Sequence, residues 1–142
     1  MQHMKEYVHR VHYHETDKMG ITHHSNYIKW MEEARIFFLE ELGFNYAYLE
    51  EQGIVSPVIN VECRYQQPTT FDDEVSIHTE VLEYNGVKLK IGYTMTNLKT
   101  GVPVAEATSM HCFTNDQGRP IILKKKHPEF DEVLKCALNK AE

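Results

Sequence analysis

The distribution of apolar positions along the chain divides it into one wide helical stripe and a series of alternating runs. Residues 7–13 alternate, with Tyr7, Val11 and Tyr13 on one face beside His9, and predict a first strand. A polar turn over residues 14–24 follows. From Ser25 the period changes to that of a helix: plotted at about 100° per residue, Tyr27, Trp30, Met31, Ala34, Phe37, Phe38 and Leu42 fall on one side. Ile28 and Leu39 widen the stripe, while Ser25, Lys29, Glu32, Glu33 and Glu40 gather opposite. Ser25 or Asn26 is the expected N-cap, and Gly43 is placed to end the helix. An apolar arc this broad predicts a helix wrapped by other structure.

The runs that follow supply the wrapper. A short helical piece is expected around Tyr46–Gln52, before Gly53. Val55–Gln66 alternates through Ile59, Val61, Cys63 and Tyr65, and Glu74–Tyr84 through Val75, Ile77, Thr79 and Val81. Asn85-Gly86 is a strong hairpin signal. Val87–Thr96 alternates through Leu89, Ile91, Tyr93 and Met95. Lys99-Thr100-Gly101 makes a second turn, Val102–Thr114 a last long strand, and Asp116-Gln117-Gly118 a third turn; Pro128–Ala141 reads as a peripheral tail helix. One apolar helix followed by an antiparallel meander is an α+β pattern. A sheet curled around a helix leaves an edge that pairing between two chains would protect, so a dimer is expected.

Composition narrows the function classes. The 142 residues suit a single domain spanning 1–142, and the 42% hydrophobic and 25% charged content is that of a globular protein. With 15 Lys and Arg against 21 Asp and Glu, the net charge of −6 argues against nucleic acid as a partner. No apolar run reaches membrane-spanning length, and the start Met-Gln-His-Met-Lys-Glu-Tyr is not a signal peptide. Cys63, Cys112 and Cys136 are odd in number and far apart, which predicts free thiols in a cytoplasmic protein.

The candidate chemistry lies between Tyr13 and Arg35. A helix N-terminus offers unpaired N–H groups and a partial positive charge, a natural home for negative charge developing on an oxygen. Asp17 stands on the approach to it, either as a turn aspartate or as a carboxylate that attacks an acyl carbon or activates water. His24 is the candidate substrate-facing histidine of the pair His23-His24. Gly20 is either a left-handed turn residue or a point of close backbone approach to a ligand. Asp17, His23, His24 and His111 lack a tight ligand spacing, so no metal is expected among them. Glu32 and Arg35 read as a helix-surface pair or as anchors to a neighbouring chain. Lys124-Lys125-Lys126 reads as a solvated run or as a contact for a phosphate.

These residues resemble a known family. The run Tyr13-x-x-Thr16-Asp17-x-x-Gly20-x-x-x-His24-x-x-Tyr27, with Glu32-x-Ala34-Arg35 and the later Arg64-Tyr65-Gln66-Gln67-Pro68-Thr69-Thr70-Phe71-Asp72-Asp73-Glu74-Val75, is similar to the hotdog-fold acyl-CoA thioesterases. The subgroup is that of 4-hydroxybenzoyl-CoA thioesterase and the Tol-Pal-associated thioesterase, and the likeness runs from about Tyr7 to Pro120. It implies a long central helix wrapped by a curved antiparallel β-sheet, and active sites at a dimer interface, as a homodimer or a dimer of dimers. It assigns Asp17 as the catalytic carboxylate and the His24 backbone N–H as donor to the thioester carbonyl oxygen. It makes Gly20 and Tyr27 shapers of the loop and pocket. Lys88 and Lys90 stand by the hairpin where some relatives hold the nucleotide phosphates. Glu15 takes a position that is often Asp in the family. The implied substrate is an acyl-CoA, or a carrier-protein thioester, with no cofactor. A hydratase or dehydratase of acyl thioesters on the same fold, and a non-catalytic acyl-CoA-binding protein, are the rival readings.

Overall fold

The computed structural model describes residues 5–140. The polar start at residues 1–4 and the last residue of the expected tail helix, Ala141, lie outside that range. The elements in chain order are β1 (Tyr7–Arg10), α1 (Ser25–Glu41), α2 (Tyr46–Glu51), β2 (Val58–Tyr65), β3 (Glu74–Tyr84), β4 (Lys88–Asn97), β5 (Pro103–Cys112), α3 (Leu123–Lys126) and α4 (Pro128–Lys140). A single 3-10 turn, Tyr13–Glu15, follows β1. The strands form one five-stranded antiparallel sheet in the order β1-β3-β4-β5-β2, with β1 paired to β3 from Tyr7↔Ile77 to Arg10↔Glu74. The α+β class follows.

The chain divides into two compact units. The first comprises Met1–Phe38, Cys63–Thr79 and Tyr93–Ala107. Its core takes Val11, then Tyr27, Trp30, Met31, Ala34 and Phe38 from α1, Val75 and Ile77 from β3, and Tyr93 and Met95 from β4. Burying side chains of this size stabilises by roughly 1.5–3 kcal/mol each. The helical stripe is therefore buried much as its period predicts, although Ile28 at its margin is exposed. Arg35 is turned inward and donates from Nη1 to Tyr93 Oη at 3.3 Å, so it is an interior bond and not half of a surface pair with Glu32.

The second unit comprises Leu39–Glu62, Glu80–Gly92 and Thr108–Glu142. Helix α1 ends inside it in a Schellman arrangement: Phe44 N–H donates to the Leu39 carbonyl and Gly43 N–H to that of Glu40, both at 2.9 Å. Gly43 makes this possible at φ +101, and the buried Leu39 and Phe44 supply the usual apolar partner pair. Asn45 Oδ1 caps α2 by accepting from Ala47 and Tyr48 N–H. Asn85 Oδ1 closes the β3–β4 hairpin on Val87 and Lys88 N–H. The tail helix is not peripheral. Phe130, Asp131 and Leu134 are buried, Tyr84 donates its hydroxyl to Asp131 Oδ1, and Lys135 pairs with the other oxygen at 3.1 Å.

Two strands depart from their alternation. The first stops at Arg10, because the Glu15 carboxylate takes the His12 backbone N–H at 2.7 Å and turns the chain. Tyr13 then points outward, 75% exposed, instead of continuing the buried face. Strand β2 buries neither face: Val58, Ile59, Val61 and Tyr65 are all exposed, with Ile59 49% accessible. It stands at the sheet edge beside β5, so among the described residues no strand lies on the other side of its ladder.

Candidate active site

The site is a small hairpin leading into α1. Thr16 and Thr22 form an antiparallel bridge, Asp17 N–H donates to the Ile21 carbonyl at 2.9 Å, and His23 N–H donates to that of Glu15 at 2.8 Å. Gly20 turns the tip at φ +79, where a β-carbon would be strained; among the described residues beyond its two chain neighbours, nothing lies within 4 Å of where it would stand. The glycine is thus required by backbone conformation, and the space beside it is open. Asp17 is half-buried. Its Oδ1 accepts from Met19 N–H at 2.8 Å, and among the described residues no group donates to Oδ2.

Helix α1 starts at Ser25, so the capping position falls on His24, one residue before the expected cap. Asn26 lies inside the helix and sends its side-chain amide back to the Glu15 carbonyl at 2.9 Å and the His23 carbonyl at 3.2 Å. The terminal amides are largely spoken for: Ser25 N–H meets His23 Nδ1, Asn26 N–H the His23 carbonyl, and Tyr27 N–H the His24 carbonyl. Among the described residues the His24 N–H has no acceptor. The His23 and His24 rings stack on each other with centroids 4.3 Å apart, and both side chains are exposed. Tyr65, whose phenol is pushed up to about 12 chiefly by burial, donates to the His24 carbonyl at 3.0 Å and steadies this corner.

Thr69 braces the hairpin from behind. It is fully buried, its carbonyl accepts from Thr22 N–H at 2.8 Å, and its hydroxyl meets that of Thr22 at 2.6 Å and that of Tyr27 at 3.0 Å. The Pro68-to-Asp73 motif accounts for its placement. Asp73 Oδ2 accepts from Thr70 N–H at 2.9 Å, and Asp73 N–H returns to the Thr70 carbonyl at 3.1 Å, closing a tight turn just after Thr69. Tyr27 is accordingly a buried brace of the loop, its phenol raised by burial. Sequence reasoning singled out neither Thr69 nor Thr22, since their partnership spans 47 residues.

Immediately before the hairpin lies a buried polar knot. Glu15 Oε1 accepts from His12 N–H at 2.7 Å and from His9 Nε2 at 2.8 Å, and Oε2 accepts from Trp30 Nε1 at 2.8 Å. Burial works against the carboxylate's charge. Those three donors outweigh it and hold its pKa below the ordinary value. Its signal in the sequence was the spacing His9-x-x-His12-x-x-Glu15.

Lys88 and Lys90 belong to the second unit, on β4. Lys88 is exposed, and Lys90 Nζ is engaged by Glu83 at 3.4 Å. Lys124, Lys125 and Lys126, on α3, are exposed. Cys63, Cys112 and Cys136 are free thiols. No helix among the described residues is long and apolar enough to cross a membrane.

The sequence matches a family model described as the thioesterase-like superfamily over residues 11–138. The chain belongs to that superfamily. It is 36% identical over 128 residues to the Bacillus subtilis protein YneP, named for acyl-CoA thioesterase activity, covering 89% of this chain and 92% of that one. It is 33% identical over 81 residues to the Haemophilus influenzae acyl-CoA thioesterase YbgC, covering 56% and 60% respectively. Among solved structures it is similar to the DHNA-CoA thioesterase of Staphylococcus aureus, with a TM-score of 0.90 and 30% identity over 97% of this chain and 95% of that one. The five-stranded sheet and its helices are those of the hotdog fold.

Proposed function

We propose that the chain is an acyl-CoA thioesterase that hydrolyses a thioester to a carboxylic acid and free coenzyme A. The observation that carries this reading is the pair of uncommitted groups in one short stretch, the Asp17 Oδ2 acceptor and the His24 N–H donor. In the reaction the thioester carbonyl oxygen accepts from the His24 N–H at the positive end of α1. As the carbonyl carbon becomes tetrahedral, charge grows on that oxygen, and preorganised donors of this kind are commonly the largest catalytic contribution. Asp17 has two open routes. As a nucleophile it forms an acyl-aspartyl anhydride, expels the coenzyme A thiolate, and is released by water. As a general base it takes the proton from the water that attacks directly. The exposed His24 ring orients the water or the thioester, Gly20 lets the substrate approach the backbone, and Tyr27 shapes the pocket from inside. Lys88 and Lys90 meet the coenzyme A phosphates.

In this reading residues 1–142 form one hotdog domain that acts in the cytoplasm on an acyl-CoA or a carrier-protein thioester. Its subgroup in this reading is that of 4-hydroxybenzoyl-CoA thioesterase and the Tol-Pal-associated thioesterase. It is a homodimer, or a pair of such dimers. The uncovered edge and apolar side chains of β2 support that assembly, because an open ladder with exposed Val58, Ile59 and Val61 is a template for a second strand. Sedimentation at micromolar concentration is expected to show a dimer or tetramer; a monodisperse monomer overturns the shared-site mechanism.

The deciding experiment is a hydrolysis screen over short, long and aromatic acyl-CoA substrates, following release of the thiol. Turnover of at least one class, lost in Asp17→Asn, is expected. A change in enoyl absorbance without thiol release would assign the site to hydration or dehydration of acyl thioesters instead. Tight acyl-CoA binding with no turnover would make the protein a carrier.

A further inference from the structure

We propose that His9, His12 and Glu15 form a binding site for a divalent transition-metal cation of the zinc class, separate from the Asp17 hairpin. The three residues follow one another at intervals of three along the end of β1 and the 3-10 turn, and one ligand atom from each lies within 4.8 Å of the others. Tetrahedral bonds of zinc length set ligand atoms roughly 3.4 Å apart. The His9 Nε2 to Glu15 Oε1 distance of 2.8 Å must therefore open slightly, while the exposed His12 ring closes in.

The second argument concerns the position of His9 between two carboxylates. Its Nε2 faces Glu15 Oε1 at 2.8 Å, and its Nδ1 faces Glu33 Oε2 at 3.3 Å. A cation bound at Nε2 would sit between His9 and Glu15. Nδ1–H then donates to Glu33, the carboxylate–histidine arrangement that orients metal-binding imidazoles. Glu33 is held for this task, since Tyr7 donates its hydroxyl to the same oxygen at 2.6 Å.

The surroundings agree with this placement. Trp30 Nε1 occupies Glu15 Oε2 and His12 N–H occupies one lone pair of Oε1, so a cation would take the second lone pair of Oε1 in place of its present contact with His9 Nε2. The Trp30 ring packs against that of His9 with centroids 4.6 Å apart and so holds the imidazole in place. The buried Glu15 and the exposed Glu33 together balance a dication. The exposed His12 provides the entry path and leaves a remaining coordination position to water. Two imidazoles and one carboxylate favour zinc, cobalt or nickel over magnesium or calcium, which prefer oxygen donors. The bound cation would fasten β1 to the turn that delivers Asp17 two residues later.

The test uses the full, untagged chain, stripped with chelator and titrated with Co²⁺ and Zn²⁺ by calorimetry. The Co²⁺ absorption spectrum serves as a reporter of nitrogen ligation. Saturable binding of one cation per chain and a raised Tm with Zn²⁺, but not with Mg²⁺, are expected. His12→Gln, an exposed change that leaves the fold in place, should weaken binding at least about tenfold, and Glu33→Gln by about the same factor through the second carboxylate. Absence of saturable binding overturns the site, as does binding that survives His12→Gln or that follows His23→Gln. In that case the cluster only ties the turn. None of these readouts involves turnover, so the result stands apart from the thioesterase reading.

Discussion

Glu15 and Asp17 are two carboxylates two residues apart, placed in opposite settings. Glu15 is buried, and both of its oxygens are taken by donors from His9, His12 and Trp30. Asp17 is half-buried, with one oxygen held by a local turn bond and the other open. An acid whose two oxygens are both engaged by buried donors contributes to stability, whereas one with an open oxygen is positioned yet available for attack or proton transfer. The contrast explains how one short stretch can be rigid and reactive at once: the knot at Glu15 and the brace at Thr69 immobilise the backbone on which Asp17 stands.

The largest effect expected from breaking this contrast is on turnover. Asp17→Asn keeps size and the Met19 turn bond but removes the charge, so kcat should fall by about 10²–10⁴-fold. KM and Tm should move little, because the carboxylate acts on the reacting carbon and not on the coenzyme A handle. Steady-state kinetics beside a melting curve check it; near-wild-type turnover would make the Asp17 turn purely structural. Glu15→Ala is the mirror image. It strands buried donors on His9, Trp30 and the His12 backbone, and should cost about 3–5 kcal/mol of stability by urea unfolding. If its stability is unchanged, the knot does not hold the turn.

Smaller effects sharpen the same comparison. Thr69→Val preserves shape but leaves the Thr22 and Tyr27 hydroxyls without their common partner, a loss of about 1–3 kcal/mol. Because Thr69 acts on the hairpin from behind, kcat should fall several-fold with KM nearly constant, and Thr69→Ser should restore both properties. Equal losses in Thr69→Val and Thr69→Ser would mean that packing, and not the hydroxyl, is what matters. His24→Ala should reduce kcat by less than Asp17→Asn, since the backbone N–H stays in place; single-turnover rates on the best substrate compare the two. Burial pushes the Cys63 thiol up, so at mildly alkaline pH it should react with a disulfide reagent more slowly than the exposed Cys136, as mass spectrometry of the labelled peptides would report.

Much of the architecture was legible because it is written in short-range terms. The helical period from Tyr27 to Phe38 identified the buried face of α1, and Gly43 marked its end, since a left-handed terminal residue needs no information from elsewhere in the chain. The alternation of β3 and β4 and the Asn85-Gly86 hairpin were readable for the same reason. The position of Asp17 before a helix start also followed from order along the chain. What periodicity could not tell was where each polar group would find its partner.

That was decided by the tertiary structure. Glu15 became a buried knot only because Trp30, 15 residues on, turns its indole N–H toward it. Thr22 and Thr69 meet across 47 residues, and Arg35 reaches Tyr93 across 58. Strand β2 alternates in sequence like its neighbours, yet its place at the sheet edge leaves both faces exposed. The tail helix, amphipathic by pattern, is anchored through Phe130, Leu134 and the bond from Tyr84 to Asp131. Residue types and their spacing determine which local conformations are cheap. Which buried donors and acceptors are satisfied depends on segments far apart in the chain, and a buried group left unmatched costs enough that the fold, not the local pattern, settles it.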